Sequence, residues 1–386
     1  MPDVKFVIGA NYGDEGKGLV SANLASKAQW GNKKCLTILY NGGSQRGHTV
    51  EFANFRHVYH HFAAGTPFGS DTYFHQDFLV NPMTFVQEYE DNGVSKYYMD
   101  ARCRIVTPFD MIANQFAEQG REVRHGSCGM GIFETITRYN NGDNFILTSE
   151  VGDLYDFIDN ILEGYINDVQ RYYEYRKGIR FDSIPGLDIE GLKRHWIDDF
   201  KTMMDKVSVV YDRDVKSLLN RYDVIIFEGG QGLALDMDNL ADFPHLTPSK
   251  TGSHLMIPWI RRFLGNEVPL EMYYVTRSYL TRHGNGPLPE GDIDIDNVEQ
   301  DMTNQPNPWQ GTLKVTGFTK ESLQAMRHRI VCDSLGYENM MMGDIRTYLV
   351  VTHVNEINSP YIPFINFFDK VYYSKSKDCT APFKIN

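Results

Sequence analysis

Near the amino end the run GANYGDEGKG gathers Gly13, Gly16, Gly18 and Lys17 into a short glycine-rich stretch. Backbone N–H groups in such a turn can point at phosphate, and the lysine adds a compact positive charge. The run departs from the usual GxxxxGK[ST] loop, because the first glycine and the Ser/Thr are missing and Asp14 and Glu15 lie inside the turn. A carboxylate there repels phosphate, so it needs a reason: Mg2+ coordination, base catalysis, or both. The alternative is a tight turn whose carboxylates cap a helix.

Regular elements must hold such a turn in place. Val4 to Gly9 (VKFVIG) is a short apolar run closed by glycine, and Leu19 to Lys27 has helix-compatible composition, which predicts strand, turn, helix. Leu36 to Tyr40 (LTILY) is a second buried-strand candidate, followed at once by NGGSQRGHT. Apolar runs ending at Val106, Phe227, Val275 and Val351 also lead into polar or glycine-rich loops. Repeated strand-then-loop units predict an α/β fold with a largely parallel central sheet, helices on both faces, and ligands beyond the carboxyl ends of the strands. Asp153 to Arg221 reads as mostly helical, its tyrosines serving packing, and Glu290 to Pro308 as an acidic surface excursion. No repeat or Ser/Gly linker divides the chain, so one elaborated domain over residues 1–386 is expected.

With 42% hydrophobic residues, the 386-residue chain can bury a substantial core. A formal net charge of −12 argues against a broad DNA- or RNA-gripping surface and leaves room for a local cleft that takes a mononucleotide. The five cysteines are far apart with no CxxC pair, which points to a reducing compartment. The segment MPDVKFVIGA lacks a signal-like pattern, and no stretch approaches the ~20 apolar residues of a membrane span. The expectation is a cytoplasmic protein, in the host cytoplasm if viral, with neither membrane nor direct nucleic-acid partners.

Five segments, in order, resemble the adenylosuccinate synthetases. GDEGKG (13–18) resembles their signature after an apolar strand, GGSQRGHT (42–49) resembles GGxNAGHT, and FEGGQG (227–232) resembles FEGAQG. TRHGNGPLP (281–289) resembles TRVGAGPFP, and KVTGF (314–318) resembles RRTGW. The resemblance implies an α/β fold with a P-loop-like phosphate loop and a Mg2+-dependent carbon–nitrogen ligase acting as a homodimer. Its γ-phosphoryl group moves to O6 of a purine nucleotide, and the amine of L-aspartate then displaces phosphate.

On that resemblance, Asp14 would take the N1 proton of the base and ligate the metal together with the Gly47 carbonyl. His48 would be the general acid toward the phosphate oxygens, Lys17 would hold phosphate charge, and Gln231 would hydrogen-bond the activated O6. Gly13, Glu15, Gly16 and Gly18 would line the phosphate loop. The purine nucleotide's own phosphate would fall to Ser127 and Cys128 of HGSCGMG and to Thr247 of HLTPSKTG. Cys128 stands where threonine is usual, and a thiol is the weaker donor. Arg138 is the nearest candidate for an arginine supplied across a subunit interface.

Three departures from the family pattern bear on the substrate. Thr352-His353-Val354-Asn355 replaces the TKxD segment whose aspartate reads guanine, and Asn355 offers a donor and an acceptor that suit adenine. ATP or dATP is therefore the expected phosphoryl donor; the alternative is that this loop has drifted, since Ser374 to Lys377 (SKSK), where relatives carry STGP, has changed as well. Arginines before TGW give way to Thr312, Lys314 and Thr316 as aspartate-binding candidates, and His283 replaces a valine near the sugar. Gln45-Arg46 replaces Asn-Ala and would enlarge and recharge the wall beside the base. Together these changes resemble the viral 2-aminoadenylosuccinate synthetases, which convert dGMP toward a diaminopurine deoxynucleotide. The alternatives are an ordinary adenylosuccinate synthetase using IMP and GTP, and a nucleotide-binding module or NTPase without ligase activity.

Overall fold

The computed structural model describes residues 1–93, 95–122, 124–142, 154–292, 313–338, 344–357 and 365–385. The strands are β1 (Asp3–Gly9), β2 (Cys35–Leu39), β3 (His48–Phe52), β4 (Phe55–Tyr59), β5 (Asp71–Phe74), β6 (Leu79–Val80), β7 (Tyr97–Asp100) and β8 (Arg104–Ile105). They continue with β9 (Val207–Val210), β10 (Val224–Gly232), β11 (Leu270–Arg277), β12 (Leu280–Arg282), β13 (Lys314–Thr316), β14 (Ile345–Thr352), β15 (Lys370–Tyr373) and β16 (Lys384–Ile385). The helices are α1 (Lys17–Trp30), α2 (Pro82–Asn92), α3 (Pro108–Gln119), α4 (Ile132–Asn140), α5 (Leu154–Lys177), α6 (Ile189–Met204), α7 (Asp212–Leu219), α8 (Met256–Leu264) and α9 (Lys320–Glu338).

A ten-stranded sheet runs in the order β16-β15-β14-β11-β1-β10-β2-β5-β7-β9. Its pairs are parallel except β15 with β16. Strands buried on both faces read as apolar runs, which is why β1, β2, β10, β11 and β14 were legible. In β1, Val7 joins the core under α1, while Val4, Phe6 and Ile8 join the core on the opposite face, under α7, α8 and α9. Phe6 stacks on Phe227 of β10 with ring centroids 4.3 Å apart. The expected helices on both faces are therefore present.

Local predictions needed correction. The run ending at Val106 contributes only the two-residue β8, paired with β6 outside the central sheet. The stretch from Asp153 to Arg221 holds α5, α6 and α7 but also β9, an edge strand of the main sheet. β5, β7 and β15 were not anticipated, because at four residues each they are too short to show a period. Most of the acidic 290–308 stretch lies outside the described residues.

Candidate active site

Six connections leave the carboxyl ends of β1, β2, β10, β11, β14 and β15 on one edge of the sheet, the edge where open α/β sheets bind ligands. The turn after β1 ends at Gly16, whose φ of 89° is left-handed, and α1 begins at Lys17. Inside the turn Glu15 faces the protein. Its Oε1 accepts from the backbone N–H of Asn11 (3.0 Å) and of Gly13 (2.7 Å), and its Oε2 lies 3.1 Å from Lys17 Nζ. Lys17 also donates to the Gly13 carbonyl at 2.6 Å. Glu15 thus fills the amide cradle and braces the turn, a role different from that of a metal ligand or base. A Cβ on Gly9 or Gly232 would meet its carboxylate at 2.5 or 2.8 Å, so these two strand-end glycines make room for it.

Asp14 points the other way, with 30% of its side chain exposed and its Oδ1 3.7 Å from Nε2 of His283. The structure therefore puts His283 against the candidate base. Nδ1 of His283 is buried without a hydrogen-bond partner among the described residues.

The loop after β2 carries Gln45, Arg46, Gly47 and His48 against α1, and a Cβ on Gly18 would come 2.8 Å from that of His48. Nδ1 of His48 lies 2.7 Å from Glu228 Oε1 in the middle of β10. Burial, reinforced by Arg46, pushes His48 down to about 4, so the ring is neutral at pH 7. The Glu228 contact then requires the proton on Nδ1, leaving Nε2 as a bare acceptor, buried and unpartnered among the described residues. In this state His48 is not poised as a general acid; an arriving phosphate would have to bring the proton.

Arg46 does not recharge the wall beside a base. Its Nη1 donates to Glu228 Oε1 at 2.8 Å, Nε donates to the His60 carbonyl at 3.2 Å, and Nη2 donates to the Phe62 carbonyl. Although burial favours its neutral form, Arg46 and His48 hold Glu228 at about 2. Gln45 does face the site. Its Nε2 and Gln231 Oε1 lie 2.7 and 3.0 Å from where a Cβ on Gly42 would stand, so only glycine leaves both amides their places. The Oε1 atoms of Gln45 and Gln231 are buried and unpartnered among the described residues.

The two candidate phosphate loops meet. His125 and His245, each two residues before Ser127 and Thr247, pack edge to face with centroids 5.6 Å apart. A Cβ on Gly126 would lie 2.6 Å from Gly284 Cα, so this pair of loops closes on the one bearing His283. Ser127 Oγ donates to Asn114 Oδ1 at 2.8 Å, and burial pushes the half-buried Cys128 thiol up to about 11. Arg282 ties the region together, donating to Pro287 O (2.6 Å), His245 O (2.8 Å) and Asp242 Oδ2 (3.2 Å). β12 pairs with β13, which sets Lys314 opposite Arg282 and Thr316 opposite Leu280. Lys314 donates to the Gly286 carbonyl, and the Thr316 hydroxyl accepts from Gly291 N at 2.8 Å. Thr312 lies outside the described residues. The exposed Asn355 follows β14 beside Ser374, whose carbonyl accepts from Val354 N at 3.3 Å.

Arg138 does not reach across an interface. It is fully buried in its own chain, with Nε and Nη2 each 2.9 Å from the Asp110 carboxylate and Nη1 2.6 Å from Tyr165 Oη. The resemblance overlooked Glu228, Arg277 and Arg282. Glu228 carried a signal, since an acid directly after the buried apolar run VIIF must find a partner. The two arginines carried none.

A family model described as adenylosuccinate synthetase matches residues 6–312. The chain is similar to the adenylosuccinate synthetase of Petrotoga mobilis, with 24% identity over 73% of this chain and 64% of that protein. It is also similar to that of Helicobacter pylori strain G27, with 27% identity over 76% of this chain and 66% of that protein. The aligned part thus spans just under two thirds of these curated relatives. Among solved structures, the fully ligated adenylosuccinate synthetase of Plasmodium falciparum shares the fold at a TM-score of 0.66 and 17% identity, over 92% of this chain and 77% of that one. So does the succinoaminodeoxyadenylate synthetase of cyanophage S-2L bound to dGMP and dATP, at a TM-score of 0.62 and 13% identity, over 98% and 94%. With more than half of its length matched by the family model, and with that family's fold, the chain belongs to the adenylosuccinate synthetase family.

Proposed function

We propose that the chain is a carbon–nitrogen ligase that joins L-aspartate to C6 of a purine nucleotide, with dGMP as the nucleotide and ATP or dATP as the phosphoryl donor. The observation that carries the ligase reading is the convergence of Asp14 from the turn after β1, His48 from the start of β3 and Gln231 from the end of β10 on one sheet edge, with His48 Nε2 and Gln231 Oε1 unpartnered among the described residues. The finer assignment draws on Asn355 in place of the guanine-reading aspartate, on His283 beside Asp14, and on likeness to a phage enzyme whose structure holds dGMP and dATP.

The residues divide the chemistry. C6–O of a lactam is a poor leaving group, so O6 is first phosphorylated. Asp14 accepts the N1 proton, and O6, steadied by the Gln231 amide N–H, attacks the γ-phosphorus while the bond to the bridging oxygen breaks and the nucleoside diphosphate leaves. His48, its Nδ1 proton held by Glu228, takes up at Nε2 the proton that arrives with the phosphates and donates it to the transferring phosphoryl oxygens. The amine of aspartate, with its carboxylates at Lys314 and Thr316, then attacks C6 and phosphate departs. Ser127, Cys128 and Thr247 hold the nucleotide's own phosphate.

Magnesium fits the groups present. It prefers oxygen ligands and often takes one or two carboxylates beside phosphate and water. Asp14 is partly exposed, and the exposed Gly47 lies one residue before His48, which packs on α1. Asp14 and the Gly47 carbonyl would hold the ion, which when bound offsets the charge of the phosphates. A homodimer in the cytoplasm completes the proposal; no helix among the described residues is long and apolar enough to cross a membrane.

The test is phosphate release with ATP, dATP or GTP crossed with IMP, GMP or dGMP, with and without L-aspartate. Aspartate-dependent release with dGMP and an adenine triphosphate is expected. Release without aspartate would make the chain an NTPase, and preference for IMP with GTP would make it an ordinary adenylosuccinate synthetase.

A further inference from the structure

We infer that Arg277, Tyr279 and Glu356 are positioning residues that tie the loop proposed to seat the triphosphate's base to the turn that carries Asp14. Arg277, at the end of β11, donates from Nε to the Asp14 carbonyl and from Nη1 to Tyr279 Oη at 3.0 Å. Tyr279 passes the connection on by donating its hydroxyl to Glu356 Oε2, one residue beyond Asn355. All three are buried, Tyr279 to 1% exposure and both charged residues to 8%.

A second line of contacts runs beside the first. Thr352 Oγ1 donates to the Glu15 carbonyl at 2.8 Å, and a Cβ on Gly16 would lie 3.3 Å from Thr352 Cγ2. Ser278 Oγ donates to the His353 carbonyl at 2.8 Å, and His353 holds a left-handed φ of 57°, a conformation that only a few per cent of non-glycine residues adopt. The base loop and the phosphate turn are thus joined at Asp14, Glu15 and Gly16, the residues whose placement phosphoryl transfer depends on.

The inference rests on the proposed reading that residues 353–356 seat the donor's base. Its consequence is that binding of the base, remote from the reacting phosphorus, steadies the Asp14 turn, so base contacts raise kcat as well as affinity. A donor without a base would engage the turn but not the relay.

The experiment compares the full chain with Tyr279→Phe, Glu356→Gln and Glu356→Ala. Hydrogen exchange of the 11–18 segment is followed with a non-hydrolysable ATP analogue and, separately, with inorganic tripolyphosphate; kcat and KM are measured alongside. In the wild type the analogue should protect this segment more than tripolyphosphate does. In Tyr279→Phe and Glu356→Ala the two should protect it equally, with kcat lowered about tenfold or more and the KM for the purine nucleotide unchanged. Glu356→Gln, which keeps an acceptor oxygen, should recover much of both effects.

Equal protection by the two ligands in the wild type, or undiminished base-dependent protection in Tyr279→Phe, would overturn the relay. So would a variant whose segment exchanges faster without ligand while the analogue's advantage persists, which marks a purely structural role. If the wild type binds the analogue yet releases no phosphate with aspartate, the ligase reading fails while the exchange comparison still judges the relay. If only a guanine triphosphate binds, the donor reading fails and its imido analogue serves in the same comparison.

Discussion

Glu228 Oε1 accepts from both Arg46 Nη1 (2.8 Å) and His48 Nδ1 (2.7 Å), so one buried carboxylate neutralises a guanidinium and sets the proton of the candidate catalytic imidazole. Glu228→Gln should therefore damage both jobs. Removing the charge leaves Arg46 buried without its counter-ion, at a cost of about 3–5 kcal/mol. An amide can also turn its NH2 toward Nδ1 and move the imidazole proton to Nε2. Denaturant melts should show the stability loss, and aspartate-dependent phosphate release should fall about a hundredfold or more.

The same cluster makes the protein labile to acid. His48 is pushed down from 6.5 to about 4, and Glu228 from 4.5 to about 2. Both bind fewer protons folded than unfolded, so their stabilisation is complete above pH 6.5, fades as His48 is crossed toward 4, and is lost from Glu228 as pH falls through 2. Denaturant titrations from pH 7 to 4 should give a slope that His48→Ala reduces by about one proton. An unchanged slope would mean that His48 is not buried neutral.

Glu134 should behave in the opposite sense. Burial raises it to about 7, Asn114 Nδ2 donates to its Oε1 at 3.3 Å, and its Oε2 has no partner among the described residues. Its folded pKa is raised, so the associated stability is present below 4.5 and lost as pH rises through 7. Glu134→Gln should gain roughly 1–3 kcal/mol over the wild type at pH 8 and nothing at pH 4.5, as read from melting curves.

Gly18→Ala tests the packing between the phosphate turn and His48. Alanine is the better helix former, yet its Cβ would stand 2.8 Å from that of His48. The expected result is a net loss of about 1–3 kcal/mol and a lower kcat, because α1 and His48 must part. A more stable, fully active variant would show that the contact relaxes freely.

Asp14→Asn should abolish product formation with little change in melting, since its side chain is 30% exposed and its nearest charged partner, His283, stands 3.7 Å away. Asn355→Asp should shift donor preference toward GTP, measured as the ratio of kcat/KM values. An unchanged preference for adenine triphosphates would remove Asn355 from base reading.

How much of this was legible in the chain follows from the range of each interaction. Buried parallel strands have to be apolar along their whole length, so β1, β2, β10, β11 and β14 announced themselves, and the loops after them carried the candidate groups. β9 and β15 did not, because four residues cannot display a period and their partners are distant in sequence. Asp14, His48 and Gln231 could be named from local motifs, but nothing local says that Glu15 turns inward to brace the turn while Asp14 turns outward.

The amino-acid sequence by itself determined the α/β class, the family and the loops from which the chemistry comes, since these depend on residue types and short spacings. Only the tertiary structure decided which charges meet. Glu228 and His48 are 180 residues apart, and Arg277 reaches Asp14 across 263. Arg46 and Arg138 read as ligand-facing cations until packing enclosed them with Glu228 and Asp110. Burial makes a charge find a partner, and the fold alone determines which partner is within reach.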